Sequence, residues 1–195
     1  RILYAAQEER FSRKKNDAEF PSLALENLTK SGNKFSEVDS IAFYENPRLR
    51  VERQGVVDSL KAYSPRLNPR RGKESHVSRD TLAANISSAL KIDLEVVTRK
   101  DFFWTEHHLS HAASDFLPSG FDNSAILTVD GVGEWATTTI ASGSRNIPSD
   151  SSGQSVLLLR EMHFPNSIGL LYSAFTALAG FKINSGEYKL MGLAP

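Results

Sequence analysis

The sequence predicts an α/β fold in which strands and helices alternate along a chain of 195 residues. Two observations support this prediction. Short apolar runs bounded by glycine, proline or asparagine recur along the chain and are typical of strands. Between them lie stretches with apolar residues three and four positions apart, which are typical of helices. Alternation of this kind favours a sheet flanked by helices, with antiparallel pairing where a tight turn joins two runs.

The first half of the chain is expected to contain three strands and three helices. The strands are residues 2–6, 40–44 and 94–97, and the helices are residues 22–30, 49–63 and 79–90. Pro21 opens the first helix in the first turn, where proline is favoured, and Gly32 ends it. Residues 8–15 are expected to form a charged loop, and residues 65–72 a loop rich in helix breakers.

The second half is expected to contain a hairpin. Its strands are residues 125–129 and 135–140, joined by the turn Asp130-Gly131-Val132-Gly133. Residues 142–155, rich in serine and glycine, are expected to be an exposed turn, followed by a strand at 156–161. Helices are expected at 112–116 and 167–179. We expect residues 2–6 and 125–140 to belong to one sheet.

Composition argues against several classes of protein. The chain has 23 basic and 23 acidic side chains and a formal net charge of zero, so no overall field favours nucleic acid or an anionic membrane. It has no cysteine, which rules out disulfides and thiolate metal sites and fits a reducing cytoplasm without requiring one. No apolar run approaches the ~20 residues needed to cross a bilayer. We therefore expect a cytoplasmic protein with neither nucleic acid nor membrane as a partner.

The two ends of the sequence predict that it is a piece of a larger protein. The chain begins at Arg1 with neither an initiator methionine nor a signal-peptide pattern. It ends at residues 192–195, Gly-Leu-Ala-Pro, without a closing element. We expect residues 1–195 to be one partial domain that works with the rest of its own polypeptide.

The histidine segment at residues 106–111, Glu-His-His-Leu-Ser-His, predicts a metal site. His107 and His111 are four residues apart and share one face of a helix. Asp130 follows an apolar strand, at the end where open α/β sheets place their chemistry. Two imidazoles and a carboxylate suit a divalent transition metal. The alternative is a set of surface or capping histidines. His108 points away from the shared face and is expected to form a hydrogen bond.

Two further motifs are candidates for binding a phosphate. Gly131 and Gly133 would let backbone N–H groups approach a phosphate, and the alternative, a plain tight hairpin turn, is compatible with this because it has the same geometry. Lys14 and Lys15 belong to a run of cations that could clamp an anion or simply be solvated.

The segment at residues 184–194, Asn-Ser-Gly-Glu-Tyr-Lys-Leu-Met-Gly-Leu-Ala, predicts a ligand loop. Gly186, Glu187 and Lys189 follow directly on an apolar helix, where ligand loops commonly lie. The alternative is an irregular surface turn.

Four motifs together carry a resemblance to a known family. They are Glu-Glu-Arg-Phe-Ser-Arg-Lys-Lys at 8–15, Glu-His-His-Leu-Ser-His-Ala-Ala-Ser at 106–114, Leu-Thr-Val-Asp-Gly-Val-Gly-Glu-Trp-Ala-Thr-Thr at 127–138, and Asn-Ser-Gly-Glu-Tyr-Lys-Leu-Met-Gly-Leu-Ala-Pro at 184–195. In this order they resemble the O-carbamoyltransferases of the nodulation, cephamycin and tobramycin type. The resemblance covers essentially the whole chain.

The resemblance implies a fold and a reaction. The amino-terminal domain of this family resembles the tRNA threonylcarbamoyltransferases, with the actin, sugar-kinase and heat-shock ATPase (ribonuclease H-like) fold: a mixed sheet with flanking helices, incomplete in this chain. A YrdC-like domain, absent here, makes carbamoyl-adenylate from carbamoyl phosphate and ATP. The amino-terminal domain then moves the carbamoyl group to a hydroxyl of a small-molecule acceptor, which implies natural-product or glycoconjugate biosynthesis.

The resemblance also implies a metal and its ligands. The family holds an iron-type metal through a His-x-x-x-His motif and aspartates. The histidines match His107 and His111, and the nearer aspartate matches Asp130; a further aspartate would lie beyond Pro195. Manganese and zinc are the alternatives to iron. The family's first strand, which carries an aspartate and a histidine, is absent here, so this chain holds only part of the site.

The remaining assignments are inferences about the adenylate. Lys14, Lys15 and Lys189 are expected to neutralise charge on the leaving AMP. The expected nucleotide-binding residues are Gly131, Gly133, Gly186 and Glu187. A homodimer is left open. The rival hypotheses are a non-catalytic nucleotide- or metabolite-binding module of the same fold and a metal-dependent hydrolase that uses the two histidines and Asp130.

Overall fold

The computed structural model describes residues 2–15, 17, 19–62, 77–146 and 155–193, and for residues 59–62 the backbone alone. The helices are α1 (Glu9–Ser12), α2 (Ser22–Lys30), α3 (Pro47–Ala62), α4 (Arg79–Leu90), α5 (Leu94–Thr98), α6 (His107–Phe116), α7 (Ile168–Leu178) and α8 (Glu187–Met191). The strands are β1 (Ser40–Phe43), β2 (Asp101–Trp104), β3 (Asn123–Val129), β4 (Ala136–Ser144) and β5 (Val156–His163). A short 3₁₀ helix lies at Phe35–Glu37. The α/β class predicted from the sequence is confirmed.

The chain divides into two compact units. Unit 1 comprises Arg1–Phe43 and Arg71–Phe103, and unit 2 comprises Tyr44–Arg70 and Trp104–Pro195. None of the described helices is long and apolar enough to span a bilayer.

Unit 1 is built on the packing of α2 against α4. The buried side chains of α4 are Leu82, Ala83 and Ile86, whose three- and four-residue spacing places them on one helix face. The Glu8 carboxylate accepts hydrogen bonds from the backbone N–H groups of Leu23 and Ala24, at 3.0 and 2.8 Å. This charged side chain therefore satisfies two free donors in the first turn of α2. Strands β1 and β2 pair in a two-stranded sheet.

Unit 2 contains an antiparallel sheet of strand order β3-β4-β5. Helix α6 packs on one face of this sheet and builds a core with it. The core side chains are Ala112, Phe116, Ile126, Ala141 and Val156. The opposite face exposes apolar residues, among them Leu127 and Ile140, which pair directly across β3 and β4.

Two predicted strands are wrong, and both lie in unit 1. Residues 2–6 form no strand and share no sheet with β3; instead the Tyr4 hydroxyl donates a 2.7 Å hydrogen bond to the Asn27 side chain on α2. Residues 94–97 belong to helix α5, where Val97 is fully buried. Its two valines suggested a strand, but tertiary packing outweighs β-propensity in so short an element. The strand of this region is β2, which the sequence analysis missed.

The other predicted elements agree closely with the structure. Helices α2 and α4 have the predicted bounds, α3 begins two residues earlier than predicted, and the hairpin of β3 and β4 is confirmed. The expected loop at 8–15 contains α1. Strand β4 extends to Ser144, into the expected exposed turn. Residues 147–154 of that turn and the expected loop at 65–72 lie outside the described residues.

Candidate metal centre

Helix α6 brings two histidines together. The backbone is extended at Glu106 (ψ 143°) and becomes helical at His107, so the histidine pair lies in the first turn and a half. His107 and His111 are one turn apart, and their Nε2 atoms are 3.1 Å from each other. The i, i+4 spacing seen in the sequence therefore places both imidazoles on one face, as predicted.

Asp130 completes this cluster from the end of β3. Its Oδ2 atom lies 2.7 Å from Nε2 of His107 and 3.6 Å from Nε2 of His111. Its other oxygen accepts a 2.6 Å hydrogen bond from the backbone N–H of Gly131, which fixes the orientation of the carboxylate. Within the described ranges, these three residues are the group of histidines and acids whose ligand atoms all lie within 4.8 Å of one another.

The cluster is electrostatically coupled. The hydrogen bond to His107 is the main cause that lowers the pKa of Asp130 well below its usual range, against the opposing effect of burial. The same bond raises the pKa of His107, again against burial. Without a metal, the structure therefore favours an imidazolium–carboxylate pair.

The geometry fits a transition-metal ion. At ordinary bond lengths of about 2.0–2.2 Å, neighbouring ligand atoms of one ion lie roughly 3 Å apart, and the three separations observed here bracket that value. A ligating histidine usually donates its second ring N–H to an outer acceptor. The Nδ1 atom of His107 is buried and has no such partner among the described residues.

Glu134 supports the cluster and was given no role by the sequence analysis. Its side chain is only 4% exposed. The carboxylate accepts from the backbone N–H of His107, at 3.1 and 3.0 Å to its two oxygens, and from the N–H of Asn46 at 2.5 Å. Asn46 directly precedes α3, so one buried carboxylate satisfies backbone donors at the start of two helices.

His108 lies on the other side of the helix from the metal ligands, as expected. It is 2% exposed, and its Nδ1 atom shares a 2.5 Å hydrogen bond with the hydroxyl of Thr128. That hydroxyl is in turn 2.8 Å from the hydroxyl of Thr139. Burial, and then the charge of His107, lower the pKa of His108. This chain of buried polar groups ties α6 to the sheet.

The two glycines of the Asp-Gly-Val-Gly turn differ in their surroundings. A Cβ at Gly133 would lie 2.9 Å from Cβ of His107 and 3.1 Å from Cδ2 of His108. A Cβ at Gly131 would meet only a side-chain atom of Leu170, at 3.7 Å. Gly133 is therefore needed for close packing of the turn against the histidine helix. The phosphate-binding role expected for both glycines stays a prediction.

Lys14 and Lys15 belong to unit 1, whereas the His107 cluster belongs to unit 2. Both lysines are exposed and follow α1, which ends at Arg13 in the left-handed conformation (φ 61°). Their role as an anion clamp stays a prediction.

The segment expected to be a ligand loop contains a helix instead, since α8 spans Glu187–Met191. The Glu187 carboxylate accepts from the backbone N–H groups of Asn184 and Gly186, at 2.8 and 3.1 Å, and these bonds lower its pKa. It also accepts from Ser173. Lys189 is exposed on this helix. Glu187 therefore already has partners within its own chain.

Gly186 also has a packing role. A Cβ there would lie 2.7 Å from the carbonyl oxygen of Lys182 and 2.7 Å from Cβ of Phe181. The contact with the preceding backbone therefore explains this glycine without a ligand. Its role towards a nucleotide stays a prediction.

Comparison with known proteins assigns this chain to a family. The family model described as the carbamoyltransferase N-terminus matches residues 1–195. The chain belongs to the carbamoyltransferase N-terminus family. This carbamoyltransferase segment is 44% identical over 209 residues to an uncharacterised protein of Synechocystis, covering all of the chain and 31% of that protein. Its family membership confirms the resemblance seen in the four motifs.

Two nodulation proteins are also similar to this carbamoyltransferase segment. Nodulation protein NolNO of Sinorhizobium fredii is 32% identical over 198 residues, covering all of the chain and 26% of the relative. Nodulation protein NolO of Bradyrhizobium diazoefficiens is 35% identical over 91 residues, covering 46% of the chain and 15% of the relative. The chain thus spans less than a third of the length of each of these relatives.

Proposed function

We propose that this chain is the metal-holding part of an O-carbamoyltransferase. The complete protein would transfer a carbamoyl group from carbamoyl-adenylate, made elsewhere in the polypeptide from carbamoyl phosphate and ATP, to a hydroxyl of a small-molecule acceptor. The observation that carries this proposal is the convergence of His107, His111 and Asp130 in a chain of a carbamoyltransferase family.

The three ligands suit the chemistry of such a transfer. The acceptor oxygen forms a bond to the carbamoyl carbon, the bond from that carbon to the AMP oxygen breaks, and the hydroxyl proton passes to a base. A divalent ion held by His107, His111 and Asp130 would act as a Lewis acid towards the carbonyl or the phosphate. Three protein ligands leave positions for water or substrate, and iron, manganese and zinc all accept this ligand set.

The remaining polar residues have supporting roles in this proposal. Lys14, Lys15 and Lys189 would neutralise negative charge on the departing AMP. Gly131 and Gly133 would let the backbone of the turn close on the nucleotide, beside the metal ligand Asp130. Gly186 and Glu187 would shape the α8 segment near Lys189. We place the reaction in the cytoplasm and in the biosynthesis of a natural product or glycoconjugate.

Metal content and transfer in the full-length protein test the proposal. His107→Ala and His111→Ala should each abolish stoichiometric metal in elemental analysis and reduce transfer from carbamoyl phosphate and ATP by at least a hundredfold. His163→Ala is the matched control: it removes a more exposed histidine outside the cluster and should retain the metal. Normal metal content in the His107→Ala/His111→Ala double variant would overturn the metal assignment. A metal-free variant that transfers at the wild-type rate would overturn the role of the metal in the reaction.

A further inference from the structure

The direction of the Asp130 carboxylate depends on the peptide group that joins Asp130 to Gly131. The Gly131 N–H donates a 2.6 Å hydrogen bond to Oδ1 of this carboxylate, while Oδ2 lies 2.7 Å from Nε2 of His107. A trans peptide group is planar, and its N–H and C=O point in opposite directions. The peptide group and the carboxylate therefore turn together, and whatever fixes the peptide group also fixes the oxygen that faces the histidines.

Ser167 holds the carbonyl side of this turn. It directly precedes α7, and its hydroxyl oxygen lies 2.7 Å from the carbonyl oxygen of Gly131 and 3.2 Å from that of Asp130. Because a hydroxyl has one hydrogen to donate, the two carbonyls share it. The same oxygen accepts a 3.0 Å hydrogen bond from the backbone N–H of Leu170 and so caps α7. One side chain thus ties the start of a helix to the turn that carries a metal-ligand candidate.

Gly169 lets the first turn of α7 lie directly on the same peptide group. A Cβ at Gly169 would lie 2.4 Å from the carbonyl oxygen of Asp130, 2.5 Å from its carbonyl carbon and 2.6 Å from the nitrogen of Gly131. Since these three distances are nearly equal, the Cβ would point into the face of the peptide group. All three neighbours are backbone atoms, which cannot rotate away as a side chain could. The helix therefore covers the peptide group that Ser167 holds at its edge.

The segment before α7 is anchored to the same strand as Asp130. Thr137 of β4 is fully buried, and its hydroxyl donates a 2.7 Å hydrogen bond to the carbonyl of Asn166, the residue before Ser167. The Thr137 carbonyl accepts a 2.9 Å hydrogen bond from the backbone N–H of Asp130. One residue of β4 thus holds both Asp130 and the start of α7. These contacts form a closed ring, so the position of Asp130 is set by packing before any ion binds.

We propose that Ser167 is a positioning residue for the metal ligand Asp130, acting through the backbone of the turn. The first turn of α7, seated on the Asp130–Gly131 peptide group at Gly169, holds the carboxylate ready for the ion. This role rests on the proposed function, since it takes Asp130 as a metal ligand. Loss of a group that orients a metal ligand typically lowers metal affinity about 10–100-fold.

Serine variants of the full-length protein separate this role from simple capping of a helix. Ser167→Ala should lower the affinity for Co²⁺, measured by competition with a chelator, about tenfold or more. The absorption spectrum of the Co²⁺-loaded protein, which reports ligand geometry, should change as well. Ser167→Thr keeps the hydroxyl and should restore both. Ser78→Ala is the matched control: it removes the serine cap of α4 in unit 1 and should change neither.

Two further measurements test the contacts themselves. In chelated protein, hydrogen–deuterium exchange of the peptide that contains Gly131 should be faster in Ser167→Ala than in the wild type, and unchanged in Ser78→Ala. Gly169→Ala should lower the affinity for Co²⁺ at least as far as Ser167→Ala. A folded Gly169→Ala variant with wild-type affinity would contradict the close seating of α7.

The outcomes distinguish this inference from the proposed function. Wild-type affinity and spectrum in Ser167→Ala would overturn the positioning role and leave the metal assignment standing. An equal loss of affinity in Ser78→Ala would overturn it too, because the effect would then follow from general destabilisation. If the wild type binds no Co²⁺, the metal assignment of the proposed function fails, and the role of Ser167 towards a metal fails with it. Faster exchange in Ser167→Ala would in that case still show that the hydroxyl holds the turn.

Discussion

Both carboxylate oxygens of Glu134 lie within hydrogen-bonding distance of the backbone nitrogen of His107, at 3.1 and 3.0 Å. A metal-ligand candidate is thus held by its backbone as well as by its side chain. Because the first N–H groups of a helix have no partner inside the helix, an outside acceptor is needed, and a carboxylate also complements the helix dipole. The position of the imidazole therefore depends on a residue 27 positions further along the chain.

Replacing Glu134 should loosen the start of α6. Glu134→Ala leaves the N–H groups of His107 and Asn46 without their acceptor and should cost about 2–4 kcal/mol of folding free energy. Hydrogen–deuterium exchange of the peptide that begins α6 should accelerate, and urea unfolding should shift to lower concentration. Glu134→Gln keeps one acceptor oxygen and should give an intermediate effect, while Asp122→Ala, at an exposed acid, should have almost none. Unchanged exchange at His107 in Glu134→Ala would contradict the capping role.

The two glycines of the turn should respond differently to the same substitution. Gly133→Ala places a methyl group 2.9 Å from Cβ of His107 and should displace the helix that carries both histidines. Metal affinity, measured by competition with a chelator, should fall about tenfold or more, because ligand geometry tolerates little movement. Gly131→Ala meets only Leu170, at 3.7 Å, and should leave metal affinity nearly unchanged. Equal affinities in the two variants would show that the contact at Gly133 does not position the histidines.

The contribution of the Asp130–His107 pair to the stability of the metal-free protein should be greatest in mildly acidic solution. The lowered pKa of Asp130 adds stability above its ordinary value of 3.8, and this is lost as the pH falls. The raised pKa of His107 adds stability below its ordinary value of 6.5, and this is lost as the pH rises through the raised value. In chelated protein, the difference in urea resistance between the wild type and Asp130→Asn should therefore be greatest at roughly pH 4–6.5. In Asp130→Asn this pH dependence should flatten, and an unaltered profile would contradict the pairing.

A glycine in β4 is expected to be essential for the core of unit 2. A Cβ at Gly143 would lie 2.6 Å from the ring of Phe116, which is 1% exposed. Gly143→Ala should therefore cost about 1–3 kcal/mol through overpacking. Gly55→Ala makes the same change in α3, where nothing lies within 4 Å, and should stabilise by about 0.5–1 kcal/mol. Thermal unfolding of both variants should show shifts of opposite sign, and a stabilised Gly143→Ala variant would contradict the close approach.

The local patterns in the sequence were enough to predict that His107, His111 and Asp130 lie close together. The i, i+4 histidines and the aspartate after an apolar strand each depend on short-range geometry, which a sequence displays directly. The role of Glu134 depends on backbone groups 27 and 88 residues away, and no local pattern carries that information. The error at α5 has a similar origin, since burial of Val97 against other parts of unit 1 outweighed the strand preference of valine.

Glu134 also couples the metal cluster to a helix that carries none of its ligands. The carboxylate accepts from the backbone N–H groups of both His107 and Asn46, so the starts of α6 and α3 share one acceptor. A change at the start of α3 that shifts this carboxylate acts on a metal-ligand candidate without touching it. Thermodynamic linkage then requires reciprocity: whatever factor such a change applies to the affinity for the metal, the metal applies to the equilibrium of that change.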